Sequence, residues 1–547
     1  MAGVLVMGIS QFAAGQDPTP SPTPDPSATP IDKQYTWKNT LTNFNDPNSW
    51  NENGAPPVAG DVGAFTAAAV AQPQLTASDT ISGLYFTGTG TSGYDLTRLG
   101  ITQTLTLTAT GTVIGQEKSD STAVAIGAEN TSGTNTIDVP IILGVAAAST
   151  QTIIQAAGGT LVINGAISEA NAGINLSLTG AGTVTLAGAN SYTGGTTLST
   201  GTLNINNASA IGTGAFIINS GTINNTSGGA LTLATNNAIT WGGNFSFGGT
   251  NNLTFGTGAI TMAGSRTITL NGSNSTLTFG GTIAGDGDRT LTVNGPGNTL
   301  SLGGITISSN NQARTFTVAG TGNTTITGAV ANGSTSTSNL TKNGTGTLTL
   351  SGANTYTGAT TVNAGKLFIN GNQTAATGTT TVNGSGTVLG GTGTIGGSVS
   401  MASSGAILEG GTGSTGQTLT IKGSLTQVSG SIIELALGPA FAHSTLALTG
   451  AGSSSFYSTQ KVTFIDLGAP IGTYQDIVTG VTSNPGSLSG WTITNPEFQG
   501  SFSWDGSNID LTLTQVPEPG TWCAAALAFG AVLLSQRRRL SPMLKRA

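Results

Sequence analysis

Cysteine, histidine and charge are the three things this chain has least of. One cysteine, Cys523, and one histidine, His443, occur in 547 residues, and only 7% of the residues are charged. A disulfide framework is therefore excluded, as is thiol chemistry in the body of the chain. A zinc site lacks its usual ligands as well. Nucleic acid is a poor partner. Five of the 16 Lys+Arg (Arg537, Arg538, Arg539, Lys545 and Arg546) fall in the last eleven residues, which leaves residues 1–536 with 11 against 23 Asp+Glu, a net −12. No basic footprint for phosphates is left there. Intrinsic disorder normally brings much more charge than this.

What is abundant is glycine, 84 residues, together with threonine, serine and asparagine, set among short apolar runs. From about Thr104 to Thr426 one pattern recurs: Thr104–Thr108, Thr183–Leu186, Thr202–Ile205, Thr267–Leu270, Thr290–Val293 and Thr347–Leu350 all alternate polar with apolar positions. Period two places Leu, Val and Ile on one face of a strand and Thr on the other. Strands of four or five residues cannot bury a core alone. Stacked coil on coil they can, with Gly and Asn at the bends. The expected fold is all-β, a right-handed parallel β-helix of about 15 coils capped at both ends. The expected organisation is 1–15 signal-like, 16–34 a Pro/Thr/Ser linker, 35–70 an N-terminal cap, 71–429 repeats, 430–515 a C-terminal cap and 516–547 a tail. Trp37, Trp50 and Phe65 in the first cap, and Phe441, Phe464, Tyr474, Trp491 and Trp504 in the second, are read as core.

Two segments match closely. Leu178–Leu198 and Leu340–Val362 share the core G-x-N-[ST]-Y-T-G-x-T-T, and each runs on into a Gly-x-Leu strand, Gly201–Leu203 and Gly365–Leu367. This core resembles the autotransporter-associated β-strand repeat of β-helical passenger domains. The opening Trp37, Asn48-Ser49-Trp50, Pro56-Pro57, Gly60-Asp61 and Phe65 resembles the start of such proteins. An autotransporter would end in a translocator β-barrel of several hundred residues. None is seen here, so the passenger repeat is expected without self-transport.

The C-terminus reads Val516-Pro517-Glu518-Pro519-Gly520-Thr521, an almost wholly apolar run from Trp522 to Leu534, then Arg537-Arg538-Arg539. The run is short of the ~20 residues a spanning helix usually needs, and a buried core helix is the plain alternative. The absence of a polar face and the arginine flank favour a transmembrane helix. The arrangement resembles the PEP-CTERM sorting signal of exported bacterial proteins. That resemblance implies Pro517, Glu518 and Pro519 as recognition residues and Arg537, Arg538 and Arg539 as the membrane flank. It further implies an exosortase-type membrane protease as processing partner and a final address at the cell surface or beyond. At the other end, Met1–Ala14 is apolar but has no Lys or Arg before Lys33, so either the true start lies upstream, the preferred reading, or the signal is atypical.

Catalytic constellations are scarce. His443 has no nucleophile-elbow motif beside it. Gly285-Asp286-Gly287-Asp288-Arg289 is a dense charged spot whose aspartates could bind Ca²⁺ or cleave a polysaccharide, or simply decorate a turn. Gly390–Gly397 has phosphate-loop spacing without the Lys or the helix, and is read as corners. The sequence points to a non-enzymatic surface or matrix rod without cofactor, metal or catalytic residues, adhesive or structural among exopolysaccharides. The alternative is a polysaccharide lyase or hydrolase using Asp286 and Asp288.

Overall fold

A computed structural model describes residues 34–51, 55–87, 93–109, 123–450 and 454–517. The chain winds as a right-handed parallel β-solenoid of about 16 turns. At the ~4.8 Å strand spacing this is a rod of roughly 75 Å.

Each turn visits three faces. On the first, strands Thr150–Gln155, Asn175–Thr179, Thr196–Leu198 and Phe216–Ile218 stack in parallel. On the second, Thr160–Ile163, Thr183–Leu186, Thr202–Ile205 and Thr222–Asn224 do the same. The third carries Leu105–Leu107, Ile141–Leu143 and Ile167–Glu169, and further along the rod Thr347–Leu350, Lys366–Ile369, Val388–Gly390, Ile407–Glu409 and Ile432–Leu437. Register keeps like over like. Val184 faces Leu203, which faces Ile223, steps of 19 and 20 residues. Later turns lengthen to 25 residues between Leu408 and Ile433 and 29 between Ile433 and Val462.

The alternation read in the sequence is the physical reason. Strands such as Thr202–Ile205 and Thr347–Leu350 bury every second side chain, so the apolar positions form one continuous core along the axis. Backbone pairing between turns satisfies the peptide groups that such short strands could not satisfy internally. Glycine is needed where turns stack at bends. A Cβ on Gly391, at φ +134°, would meet the Ile369 carbonyl oxygen at 2.0 Å, and one on Gly397 would meet that of Gly378 at 2.0 Å. The phosphate-loop-like glycine run is thus built of short strands, Val388–Gly390 and Thr394–Ile395, and tight bends.

The two ends differ. At the N-terminal end Trp37 and Trp50 pack edge to face at 5.2 Å, Phe44 meets Trp50 at 5.0 Å, and Phe65 stacks on Phe86 at 5.0 Å. The Trp50 indole N–H donates to the Phe44 carbonyl at 2.8 Å, so the apolar end of the core is closed without orphaning a donor. At the other end the parallel ladder runs on to Thr492–Ile493. Direction then reverses, and Ile509–Gln515 pairs antiparallel with both Gly472–Thr479 and Gln499–Trp504. Tyr474 is fully buried there, whereas Phe441 is 43% exposed at φ 61°, with its ring laid edge-on to Tyr474 at 5.4 Å. The expectation that Phe441 belongs to the core is corrected: the left-handed backbone at Ala440 and Phe441 turns the ring onto the cap's surface.

Candidate functional site

The repeated motif is a corner with four fixed parts. In the first copy Asn190, Tyr192 and Thr196 are buried. Asn190 Oδ1 accepts from the Ile167 N–H at 2.7 Å, and its Nδ2 donates to the Ala210 carbonyl at 2.5 Å, so one side chain ties three successive turns. The Tyr192 hydroxyl meets Thr196 Oγ1 at 2.6 Å, and Thr196 donates to the Ile211 carbonyl at 2.9 Å. Gly194 passes so close to the turn below that a Cβ would lie 2.1 Å from the Ile174 carbonyl oxygen. The second copy repeats this: Asn354 Oδ1 accepts from Val330 N–H at 2.7 Å, Tyr356 meets Thr360 at 2.6 Å, and a Cβ on Gly358 would lie 2.3 Å from the Ser338 carbonyl oxygen. Burial pushes the Tyr192 hydroxyl well above its ordinary pKa and Tyr356 up to about 12. Both are structural hydroxyls, neutral at any physiological pH.

The copies differ in where they sit and in one inward residue. The first corner stacks under Ile167 on the third face, whereas the second stacks under Val330 on the first, so the motif has moved round the rod by one face. The inward position held by Leu178 in the first copy is held in the second by Lys342, 2% exposed. Its Nζ donates to the carbonyls of Asn343, Gly344 and Ala364 at 2.8, 2.7 and 3.2 Å. Burial lowers its pKa to about 8, and the three carbonyls hold the charge that remains at neutral pH.

Outside the rod, polar side chains form ladders. Asn383 Nδ2 donates to Asn363 Oδ1 at 3.0 Å, and Asn363 Nδ2 to Asn343 Oδ1 at 2.9 Å, at a step of 20 residues.

In the charged spot singled out in the sequence the two aspartates have separate partners. Asp286 is engaged by Arg289 at 2.7 Å, and Asp288 Oδ1 accepts from the Thr315 N–H at 2.7 Å on the next turn. His443 is half-buried in a bridge to Leu437, with Nδ1 3.0 Å from its neighbour's carbonyl at Ser444. Among the described residues no three His, Cys, Asp or Glu gather as metal ligands would. Pro517 is the last described residue; Glu518, Pro519, Arg537, Arg538, Arg539 and the expected transmembrane helix lie outside the described residues.

Sequence reasoning missed a different pair. Glu409 and Glu434 are neighbours in the parallel ladder on the outer side of the third face. Glu409 is 3% exposed. The loop after it folds back, so that Gly413 gives Glu409 a backbone hydrogen bond and lies against Ile465. Desolvation, then the neighbouring Glu434, push Glu409 up to about 7, against the pull of Lys366. Burial raises Glu434 too. Nothing in a spacing of 25 residues marks such a pair until the register is known.

Two comparisons match this construction. The model of the passenger-associated-transport-repeat fits residues 176–205 and 340–369, the two segments built around the corners just described. Over 324 residues, half of this chain, the sequence is 31% identical to the adhesin BmaC autotransporter of Brucella suis biovar 1 (strain 1330); the match spans 9% of that protein's length. The chain thus has two segments that match the passenger-associated-transport-repeat, both set on a parallel β-solenoid.

Proposed function

We propose that this protein is an exported, surface-displayed β-solenoid with an adhesin-like, non-catalytic role, sorted through its C-terminal tail and released or re-anchored by an exosortase-type protease. One observation carries the reading. The same Asn–Tyr–Thr–Gly corner closes two separate turns of a long rod whose outer positions are mostly uncharged Thr, Ser and Asn. Such a rod stands off a surface and offers a repeated polar face. The likeness to an autotransporter adhesin supports the surface address, and the Pro517-Glu518-Pro519 tail with its arginine flank supports the sorting route. Extracellular polysaccharide is the partner this surface suits.

Fractionating cells that express the chain with and without residues 516–547 tests the address. Surface or medium localisation that depends on the tail is expected, with a mature C-terminus cut near Pro519. An exported protein whose C-terminal peptide still runs through Arg539 would overturn processing.

A second reading, a polysaccharide-cleaving enzyme, draws its support from Glu409 and Glu434 rather than from Asp286 and Asp288. Paired carboxyls are what such chemistry uses, although Glu409 is buried. Turnover of a polysaccharide that vanishes in Glu409→Gln/Glu434→Gln would replace the non-catalytic reading.

A further inference from the structure

Where the ladder reverses at the C-terminal end, the 3₁₀ turn Leu488–Gly490 stands beside the strand Gln499–Trp504 and leaves a cleft of about 420 Å³. One side of that strand pairs with Ile509–Gln515; no other strand of the described residues takes its outer edge. Backbone N–H and C=O groups therefore alternate along the cleft. Trp491, Phe502 and Trp504 line it together with Ser489, Ser501 and Ser503, and no lining residue carries a charge.

The rings are held in place. Phe502 packs on Trp491 at 5.4 Å, and Trp491 on Phe456 at 5.4 Å from its other side. The Trp504 indole N–H donates to the Val481 carbonyl at 3.0 Å. Trp491 is 7% exposed, and its indole N–H is buried with no hydrogen-bond partner. A buried indole donor is normally satisfied; this one has no partner within the described residues.

We infer that this cleft binds a neutral saccharide. A sugar ring presents C–H faces that lie on aromatic rings and hydroxyls at its rim that exchange hydrogen bonds with serines and an open strand edge. The absence of lining charge disfavours uronic acids, sulfated sugars and nucleotides, whose anions would enter without a counter-charge. The volume suits a short oligosaccharide segment rather than an extended chain. Strand addition by a peptide or by a second copy is the competing use of the same edge and would show as association of chains rather than as saccharide binding. The inference names a ligand for the displayed rod of the proposed function, but the binding itself needs no particular address.

Titration of the full-length protein with neutral hexasaccharides (cello-, malto- and laminarihexaose) and with oligogalacturonate, followed by tryptophan fluorescence and calorimetry, tests it. Saturable binding of at least one neutral sugar is expected, with oligogalacturonate at least ten-fold weaker. Phe502→Ala should weaken binding at least ten-fold. Ser503→Trp, which places bulk at an exposed position of the cleft and leaves the packed rings intact, should do the same with unchanged circular dichroism. No saturable binding of any neutral sugar, binding indifferent to Ser503→Trp, or preference for the acidic sugar would overturn the inference. So would concentration-dependent dimers that Ser503→Trp abolishes, which would point to strand addition. Loss of surface localisation with binding intact would count against the address alone.

Discussion

Glu409 and Glu434 hold neighbouring positions on adjacent strands of one parallel ladder, Glu409 buried beside Gly413 and Glu434 half-buried. Desolvation first, and the neighbouring Glu434 second, keep the Glu409 carboxyl protonated well above the usual range.

A pH dependence follows from that pair. A carboxyl whose folded pKa is raised contributes stability below its unfolded value, and that stability is lost as pH rises through the folded value. For Glu409, raised to about 7 from 4.5, the C-terminal turns are expected to be more resistant to urea at pH 5 than at pH 7.5, by up to about 3 kcal/mol. Glu409→Gln should flatten the dependence, as measured by urea midpoints across that range. Equal slopes in both proteins would refute the assignment.

Lys342 has the opposite sign. Its folded pKa, about 8, lies below the unfolded value of 10.5. The unfolded chain then binds more protons between these values, and stability rises with pH through that window. A gain of at most about 3 kcal/mol is expected between pH 7 and pH 10. Lys342→Leu, which restores the residue type of the first copy, should remove the slope and raise stability at pH 7. Denaturation followed at pH 7, 8, 9 and 10 is the measurement.

The two corner asparagines should not be equivalent. Asn190 uses both ends of its amide, while the buried Nδ2 of Asn354 has no partner. Replacing Asn190 by Ala is expected to cost about 1–2 kcal/mol more than replacing Asn354, because only the former leaves an extra backbone carbonyl unpaired. Hydrogen exchange of each corner's own turn reads this, since neighbouring turns open locally in a solenoid.

Gly194→Ala and Gly358→Ala should each loosen their corner by about 1–3 kcal/mol, because a Cβ would strike backbone that cannot rotate away, the Ile174 carbonyl at Gly194 and the Ser338 carbonyl, together with the Asn339 side chain, at Gly358. Tyr192→Phe keeps the ring and removes one hydroxyl bond, so about 1 kcal/mol is expected. Ranked protease resistance of the three variants checks the order.

Much of this architecture was legible in the sequence because it depends on period and on bends. Thr202–Ile205 shows its inward face by alternation alone, and the G-x-N-[ST]-Y-T-G-x-T-T core appears twice with every part that the structure uses. What could not be read depends on register between distant turns. Glu409 and Glu434 are ordinary exposed-looking acids until the ladder sets them side by side. Phe441 and the cleft beside Trp491 depend on backbone that leaves the repeat, where alternation carries no information. Lys342 sits at an apolar position of the pattern, and only the three carbonyls around it explain how it is tolerated.

The asparagine ladder Asn343–Asn363–Asn383 advances one turn for every 20 residues of chain. Excising or duplicating a segment that begins and ends at equivalent rungs would rejoin the same faces in the same order. The height of the rod is therefore heritable in discrete increments of about 4.8 Å, and lineages could adjust how far the terminal cap reaches without redesigning either end.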